Sequence, residues 1–276
     1  MIHVLLYDVM PYVYSAYFGA ISFLKLEEVT AAVEDNLLLV SKQLLIKKLQ
    51  QPFQNLSGNF LPVYCYDDFP KRKKELYPEY KENRKKKDDS KKMSFRVRNT
   101  LLLSVKNRDG YHLSSPDEEA DDVIATAKKM IDEKLKGQDY RIYILSTDND
   151  LLQLTDDHTV CVDIMKGSWG IIKDKTYLAE KYGLNNFKKV LLHKICFGDT
   201  SDNIKGIIKP HTRKAPIIAK INECNNLKDF VLDSGFVAKE KIPEVKKLMN
   251  LIILRDNLPC KITCNEGNTY FKGISL

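Results

Sequence analysis

Ile142-Tyr143-Ile144-Leu145-Ser146-Thr147-Asp148-Asn149-Asp150 is the stretch whose reading decides the fold. A short apolar run that ends abruptly in acids predicts a buried strand over 141–146, of the kind found inside parallel sheets. The same arrangement occurs twice upstream, where His3-Val4-Leu5-Leu6-Tyr7 runs into Asp8 and Val63-Tyr64-Cys65-Tyr66 runs into Asp67. Strands are therefore expected near 3–7, 62–66 and 141–146, with weaker ones near 111–113 and 159–163. Between them, 29–50 and 117–136 carry helical periodicity, the second opened by Ser115-Pro116-Asp117 and closed by Gly137. Alternating strands and helices predict an α/β fold, a mostly parallel sheet covered by helices. Ligands of such sheets bind beyond the carboxyl ends of the strands, which is where Asp8, Asp67 and Asp148 fall.

Two more acidic clusters follow the same logic: Glu119-Ala120-Asp121-Asp122, and Asp199 with Asp202 in Gly198-Asp199-Thr200-Ser201-Asp202-Asn203. Nine carboxylates converging on one cleft would repel strongly unless hard divalent cations were bound among them. Each acid also has a plainer explanation. Asp148 precedes a helix and suits an N-cap, Asp199 and Ser201 suit a turn, and 117–122 suits a helix dipole. Helix spacing alone would pair Glu118 with Asp122. The joint placement at strand ends favours the metal reading for the set, with Asp117 and Glu118 left to structural roles.

The formal charge of +7 is concentrated in one place. Residues 71–98 hold thirteen Lys or Arg against five Asp or Glu, a local +8, so the rest of the chain sums to −1. Such a segment is expected to meet a polyanion. No apolar face runs through 81–92, which predicts a piece ordered only by its ligand. After about residue 174 strands are expected to stop and short helices to follow near 174–182, 186–197, 213–222 and 240–257. This divides the chain into 1–173 and a helical subdomain at 174–276. No apolar run reaches membrane-span length, and the first residues lack a basic region followed by an apolar one and a cleavage site. A cytoplasmic location is expected, with the six scattered cysteines as reduced thiols.

Four segments together resemble the 5′-nuclease family, which comprises the 5′→3′ exonuclease domains of bacterial DNA polymerase I, their stand-alone bacteriophage counterparts and flap endonucleases. Tyr77-Pro78-Glu79-Tyr80-Lys81-Glu82-Asn83-Arg84 is similar to the family's YPEYKxNR, Glu119 to Asp122 to its EADD, Ser146 to Leu154 to its STDxDLLQL, and Gly198 to Asn203 to its GDxSDN. They stand in the family's order and at its usual separations. The compact length, with no polymerase region after the nuclease, is similar to the bacteriophage members.

The resemblance implies a PIN-like sheet, a basic helical arch at about 69–98 and a helix-hairpin-helix-like element at about 186–222. It implies two Mg²⁺ ions, replaceable by Mn²⁺, with Asp8, Asp67, Glu119 and Asp121 around the first. Asp148, Asp150, Asp199 and Asp202 would hold the second, and Asp121 or Asp122 would stand between them. Lys81 and Arg84 would touch the scissile phosphate, while the other basic residues of the segment, Arg72 and Lys73 among them, supply a diffuse field. Either Tyr77 or Tyr80 is expected to stack on a base of a frayed or single-stranded end. Asn203, Gly206, Lys209, Arg213 and Lys214 would hold the duplex backbone, with K⁺ at the hairpin. The implied partner is DNA with 5′ ends, flaps or nicks, extending to RNA-DNA hybrids, and the implied state a monomer. Two departures stand out. Asp8 is followed by Val9-Met10-Pro11 instead of Gly and a small residue, and the glycine-rich hairpin appears as Gly206-Ile207-Ile208-Lys209-Pro210-His211-Thr212-Arg213-Lys214-Ala215. Two other functions would use part of this pattern: a DNA-end-binding protein with an inactive site, and a PIN-type ribonuclease. The filled acidic positions argue against the first, the GDxSDN element and basic arch against the second.

Overall fold

In the computed structural model, which describes residues 1–83, 92–165, 170–209, 211–224, 229–230 and 237–265, the apolar runs form the centre of a single seven-stranded sheet. β1 (Ile2–Asp8) is followed by α1 (Val9–Phe23), α2 (Glu34–Asn55), β2 (Asn59–Tyr66), α3 (Lys71–Leu76), α4 (Phe95–Lys106) and β3 (Gly110–Ser114). Then come α5 (Ala120–Lys134), β4 (Tyr140–Leu145), β5 (Thr159–Asp163), β6 (Ile171–Ile172), α6 (Lys175–Tyr182) and α7 (Val190–Phe197). The remaining elements are β7 (Gly198–Asp199), β8 (Ile204–Lys205), α8 (Lys214–Glu223), α9 (Ile242–Ile252) and β9 (Lys261–Asn265). The sheet order is β6-β5-β4-β1-β2-β3-β9, with β5, β4, β1, β2 and β3 mutually parallel.

The central strands are covered on both faces, which explains their unbroken apolar character. Leu5, Tyr7, Tyr64 and Tyr143 pack against α1, α2 and α4. Val4, Leu6, Val63, Ile142 and Ile144 face the opposite way into a core shared with α5 and the later helices. Leu178, Ile195, Ile217 and Leu248 belong to that second core, so the C-terminal helices pack on the same face of the sheet as α5.

Three expectations need correction. The expected helix at 29–50 spans Glu34–Asn55, and the helices Val9–Phe23 and Phe95–Lys106 were missed. α1 is apolar on nearly every side, because it lies between the sheet and α2, and so lacks the one-sided periodicity that marks a surface helix. Strands also do not stop near 174. β9 adds to the sheet edge antiparallel to β3, its side chains mostly exposed and its pattern correspondingly weak. Arg84 and residues 85–91 lie outside the described residues, as does Pro210, so the ligand-ordered segment falls largely outside them.

β7 and β8 form a two-stranded ribbon that carries Asp199 on one arm and leads back from Asp202 on the other. Its closeness to α7 depends on two glycines. Gly198 takes φ +78°, and a Cβ on Gly206 would lie 2.3 Å from the Cys196 carbonyl oxygen and 2.4 Å from the Gly198 nitrogen. Gly206, expected to approach DNA, is thus also required for internal packing. Gly206→Ala is expected to cost about 1–3 kcal/mol of stability, measured as a lowered denaturation midpoint; an unchanged midpoint would contradict this packing.

Candidate active site

The parallel register brings three acids to one edge. Asp8 and Cys65 are paired across β1 and β2, so Asp67 follows two residues beyond Asp8's level, and Tyr7 pairs with Leu145 on the other side, just before Ser146. Asp8 is the N-cap residue of α1 but makes no capping bond; its carboxylate instead accepts a 2.6 Å hydrogen bond from the Ser146 hydroxyl. Asp67 accepts the Ala120 backbone N–H at 2.8 Å, so the end of β2 secures the start of α5. Glu119 is the N-cap residue of α5, with Asp121 and Asp122 in its first turn. The irregular helix start selects Glu119 over Glu118 for the cleft.

Asp8 and Asp121 are buried, and their carboxyls are pushed well above the usual range, first by loss of water; Asp67, Asp121 and Asp148 add to the rise at Asp8, and Asp148 and Glu119 to the rise at Asp121, with Lys73 and Lys81 opposing there. Asp67 sits on the rim with its carboxyl ringed by protein. It is raised as well, by desolvation and then by Glu119, with the Ala120 N–H opposing. Asp148 accepts the Asp150 backbone N–H at 2.8 Å and faces both Asp8 and Asp121. On the far side of the cleft, carboxylate oxygens of Asp150, Asp199 and Asp202 all lie within 4.8 Å of one another. An all-oxygen donor set of this kind suits hard divalent cations.

Lysines from the protein itself partly neutralise this charge. Lys73, only 3% exposed, pairs with Glu119 at 2.8 Å and with Asp122 at 3.0 Å. Lys81 also pairs with Glu119, and stands 3.7 Å from Asp202. Burial alone would raise Glu119, but these two ammonium groups overcome it and hold the carboxyl at about 2. Lys194 bridges Asp150 and Asp199, and Asp199 is likewise held at about 2 against its burial. Asp122 is completely buried, and its oxygens are engaged by Lys73, by the Arg255 backbone N–H at 2.7 Å and by Arg72 at 3.8 Å. It faces these basic groups, whereas Asp8, Asp121 and Asp148 face each other. Glu118 is fastened by Arg255 and Arg72, in keeping with a structural role.

The base of the basic segment is tied to the Asp199–Asn203 loop. The Lys81 backbone N–H donates to the Asp202 carbonyl at 2.9 Å, the Asn83 side chain to the Thr200 carbonyl at 2.8 Å, and the Asn203 side chain to the Glu79 carbonyl at 2.9 Å. Tyr80 donates its hydroxyl to Glu119 at 2.8 Å and lies 3.1 Å from an Asp202 oxygen. Its ring is 2% exposed, which corrects the expectation that it stacks on a base. Tyr77 is half-buried under Lys247, and Lys209, Arg213 and Lys214 remain exposed. Lys73 and Arg72, expected in a diffuse field, turn inward to the acids.

Sequence reasoning missed three groups that shape the site: Ser146, Lys194 and Lys173. Lys194 had a signal, a lone charge inside the apolar run Val190-Leu191-Leu192-His193 to Phe197. Lys173 is 1% exposed, and its ammonium donates to the carbonyls of Ser146, Thr147 and Asp148 at 3.4, 3.1 and 3.2 Å. Burial lowers its pKa, with Cys161 and two aspartates opposing.

A PIN-like α/β sheet with an acidic carboxyl edge is the class these features define. The chain belongs to the family described as 5′-3′ exonuclease, N-terminal resolvase-like domain, whose model matches residues 3–183. That match takes in every acid of the site except Asp199 and Asp202. Among curated relatives, DNA polymerase I of Streptococcus pneumoniae TIGR4 is 39% identical over 138 residues, which is 49% of this chain and 15% of the relative. A 5′-3′ exonuclease of Buchnera aphidicola is 30% identical over 155 residues, 56% of this chain and 50% of the relative. The chain thus spans half or less of these relatives' lengths. Among solved structures, the T5 D15 protein co-crystallised with metal ions superimposes with a TM-score of 0.61 at 17% identity, covering 93% of this chain and 89% of that one. The bacteriophage T5 D15 flap endonuclease in a pseudo-enzyme-product complex with DNA and metal ions gives 0.61 at 16% identity, covering 93% and 89%. That likeness is one of fold.

Because Lys173 holds the loop that orients Asp148 and Asp150, Lys173→Met is expected to raise the divalent-metal concentration needed for half-maximal thermal stabilisation by about tenfold. A titration unchanged from the parent chain would show that the loop holds its shape without the ammonium.

Proposed function

We propose that this chain is a structure-specific, metal-dependent 5′-nuclease that hydrolyses DNA phosphodiesters from the 5′ end, as exonuclease, flap endonuclease or both, and serves replication or repair, including primer or flap removal. The observation that carries the reading is the gathering of Asp8, Asp67, Asp121 and Asp148 at the carboxyl edge of a parallel sheet, where burial raises the Asp8 and Asp121 carboxyls and neighbouring acids, Asp67 and Asp121 at Asp8 and Asp148 at both, raise them further. Carboxylates gathered at that cost are expected where cations are to be bound. Family membership and the metal ions in the T5 crystals support it.

In this reading Asp8, Asp67, Glu119 and Asp121 serve one Mg²⁺ and Asp148, Asp150, Asp199 and Asp202 a second, with Asp122 holding Lys73 in place. Bound divalent ions would lower the pKa of an attacking water and neutralise the leaving oxygen. Lys81, tethered by Glu119 and by its backbone bond to Asp202, is positioned to present an ammonium to the scissile phosphate, with Arg84 beside it in sequence. Lys209, Arg213 and Lys214 would hold duplex phosphates without reading sequence, Asn203 and Gly206 shaping the turn, and K⁺ would occupy the hairpin. Residues 1–173, completed by Asp199, Asp202 and the edge strand β9, form the catalytic unit, and the rest of 174–276 the DNA-gripping one, with a helix-hairpin-helix-like element at 186–222. A cytoplasmic monomer is proposed, acting on DNA and on RNA-DNA hybrids. Among the described residues no helix is long and apolar enough to cross a membrane.

Asp121→Asn or Asp148→Asn is expected to abolish cleavage of 5′-labelled flap, nicked and blunt DNA in Mg²⁺ while binding of the same DNA persists. Parent-level turnover in either variant would refute the site, and absence of cleavage by the parent chain would leave a binding protein.

A pH dependence follows from the raised acids. Asp8 and Asp121 hold protons more tightly in the folded chain than in the unfolded one, so metal-free stability falls as pH rises between the unfolded value and their raised values. Glu119 and Asp199, held at about 2, act oppositely, their contribution being present above the unfolded value and lost as pH falls toward 2. Mg²⁺, which binds the deprotonated acids, is therefore expected to raise Tm more at pH 8 than at pH 6. Equal increments at both values would argue against binding among these groups.

A further inference from the structure

A cavity of 480 Å³ lies under α4 and against the ends of β2, β3 and β9, with Asp67 in its wall. Its floor is made by Tyr66 and His112. His112 donates from Nε2 to the Arg108 carbonyl at 2.9 Å and accepts the Tyr66 hydroxyl at Nδ1, 2.8 Å away, so the pair is closed upon itself. Burial lowers the imidazole's pKa, and the floor is neutral. The rest of the lining carries three cations against two acids, Asp67 and Asp68, whose carboxylates accept the backbone N–H groups of Ala120, Phe69 and Asp117. Arg98 and Lys106, two turns apart on α4, both line the cavity. Lys261 is brought to the third side by the β3-β9 pairing, which sets it opposite Ser114. Lys106 stands 5.6 Å from the centre of the Tyr66 ring. Among the described residues no carboxylate lies within 4 Å of any of these three cations, whereas Lys73, Lys81 and Lys194 in the neighbouring cluster are all paired with acids.

We propose that this cavity is a subsite for the 5′-terminal nucleotide, with Arg98, Lys106 and Lys261 receiving its 5′-phosphate. The proposal rests on the nuclease reading for the identity of the strand end. Two features choose the occupant. Its volume is that of a small-molecule site, about 300–1,000 Å³, enough for one nucleotide and too little for a duplex. Its wall is shared with the acid cluster through Asp67, so a terminal nucleotide in the cavity leaves its 3′-side phosphodiester next to the acids. An unpaired cationic rim over a neutral floor attracts a phosphate rather than a bare nucleoside.

Two measurements on the whole chain test this. In the first, without metal, thymidine 5′-monophosphate is expected to bind at least tenfold more tightly than thymidine, and the double variant Lys106→Ala with Lys261→Ala to erase that difference. A difference that is absent from the parent chain, or that survives in the double variant, overturns the subsite. In the second, with Mg²⁺, the ratio of kcat/KM for release of the first nucleotide from 5′-phosphorylated and 5′-hydroxyl DNA is expected to be near ten in the parent chain and near one in the double variant. A parent ratio of one, or a ratio kept by the variant, also overturns it. If the parent chain cleaves neither DNA yet binds the monophosphate in the rim-dependent way, the anion subsite stands and the nuclease reading falls.

Discussion

Carboxylates that cannot all keep their charge at once are the constraint on which the rest of this structure depends. Asp8, Asp67, Asp121 and Asp148 are brought together by strand register and by the start of α5; burial raises the first three, the other acids add to the rise at Asp8, and Asp148 to that at Asp121. The fold tolerates this because the acids nearest the basic segment are offset from within. Lys73 and Lys81 meet Glu119, Lys194 meets Asp150 and Asp199, and the result is that these acids are offset from within while Asp8, Asp121 and Asp148 are left facing one another. A buried charge that loses its partner is far more costly than a solvated one, so these lysines bind the geometry of the site to the stability of the chain.

That coupling extends through the basic segment. Tyr80, Lys81 and Asn83 make polar contacts to the loop carrying Asp199 and Asp202, and Asn203 returns one to Glu79. The two segments are about 120 residues apart in the chain, and each supplies polar groups the other needs. Tyr80 is the clearest instance, an aromatic residue in a basic stretch that serves as a strut between Glu119 and Asp202.

Much of this was legible in advance where physics acts locally. A short apolar run ending in an acid is a strand with a functional end, and Asp8, Asp67 and Asp148 were found in that way. Elements whose pattern is set by distant packing were not. α1 is apolar nearly all round because the sheet and α2 enclose it, and β9 is largely exposed because it lies at an edge. The inward turn of Lys73 was equally hidden, since in sequence it stands beside Lys71, Arg72 and Lys74 and nothing local tells a buried cation from a solvated one.

By itself the sequence determined the parallel sheet, the acids at its carboxyl edge and the concentration of positive charge in one segment, because periodicity, run length and net charge are properties of neighbouring residues. Only the tertiary structure decided which charges meet. It turned Asp122 toward Lys73 and Arg255, placed the ammonium of Lys194 between Asp150 and Asp199, fastened the Ser146–Asp148 carbonyls to Lys173, and left Arg98, Lys106 and Lys261 around a cavity without carboxylate partners among the described residues. Pairing of buried charges depends on distances and on exclusion of water, and both exist only once the strands and helices are packed.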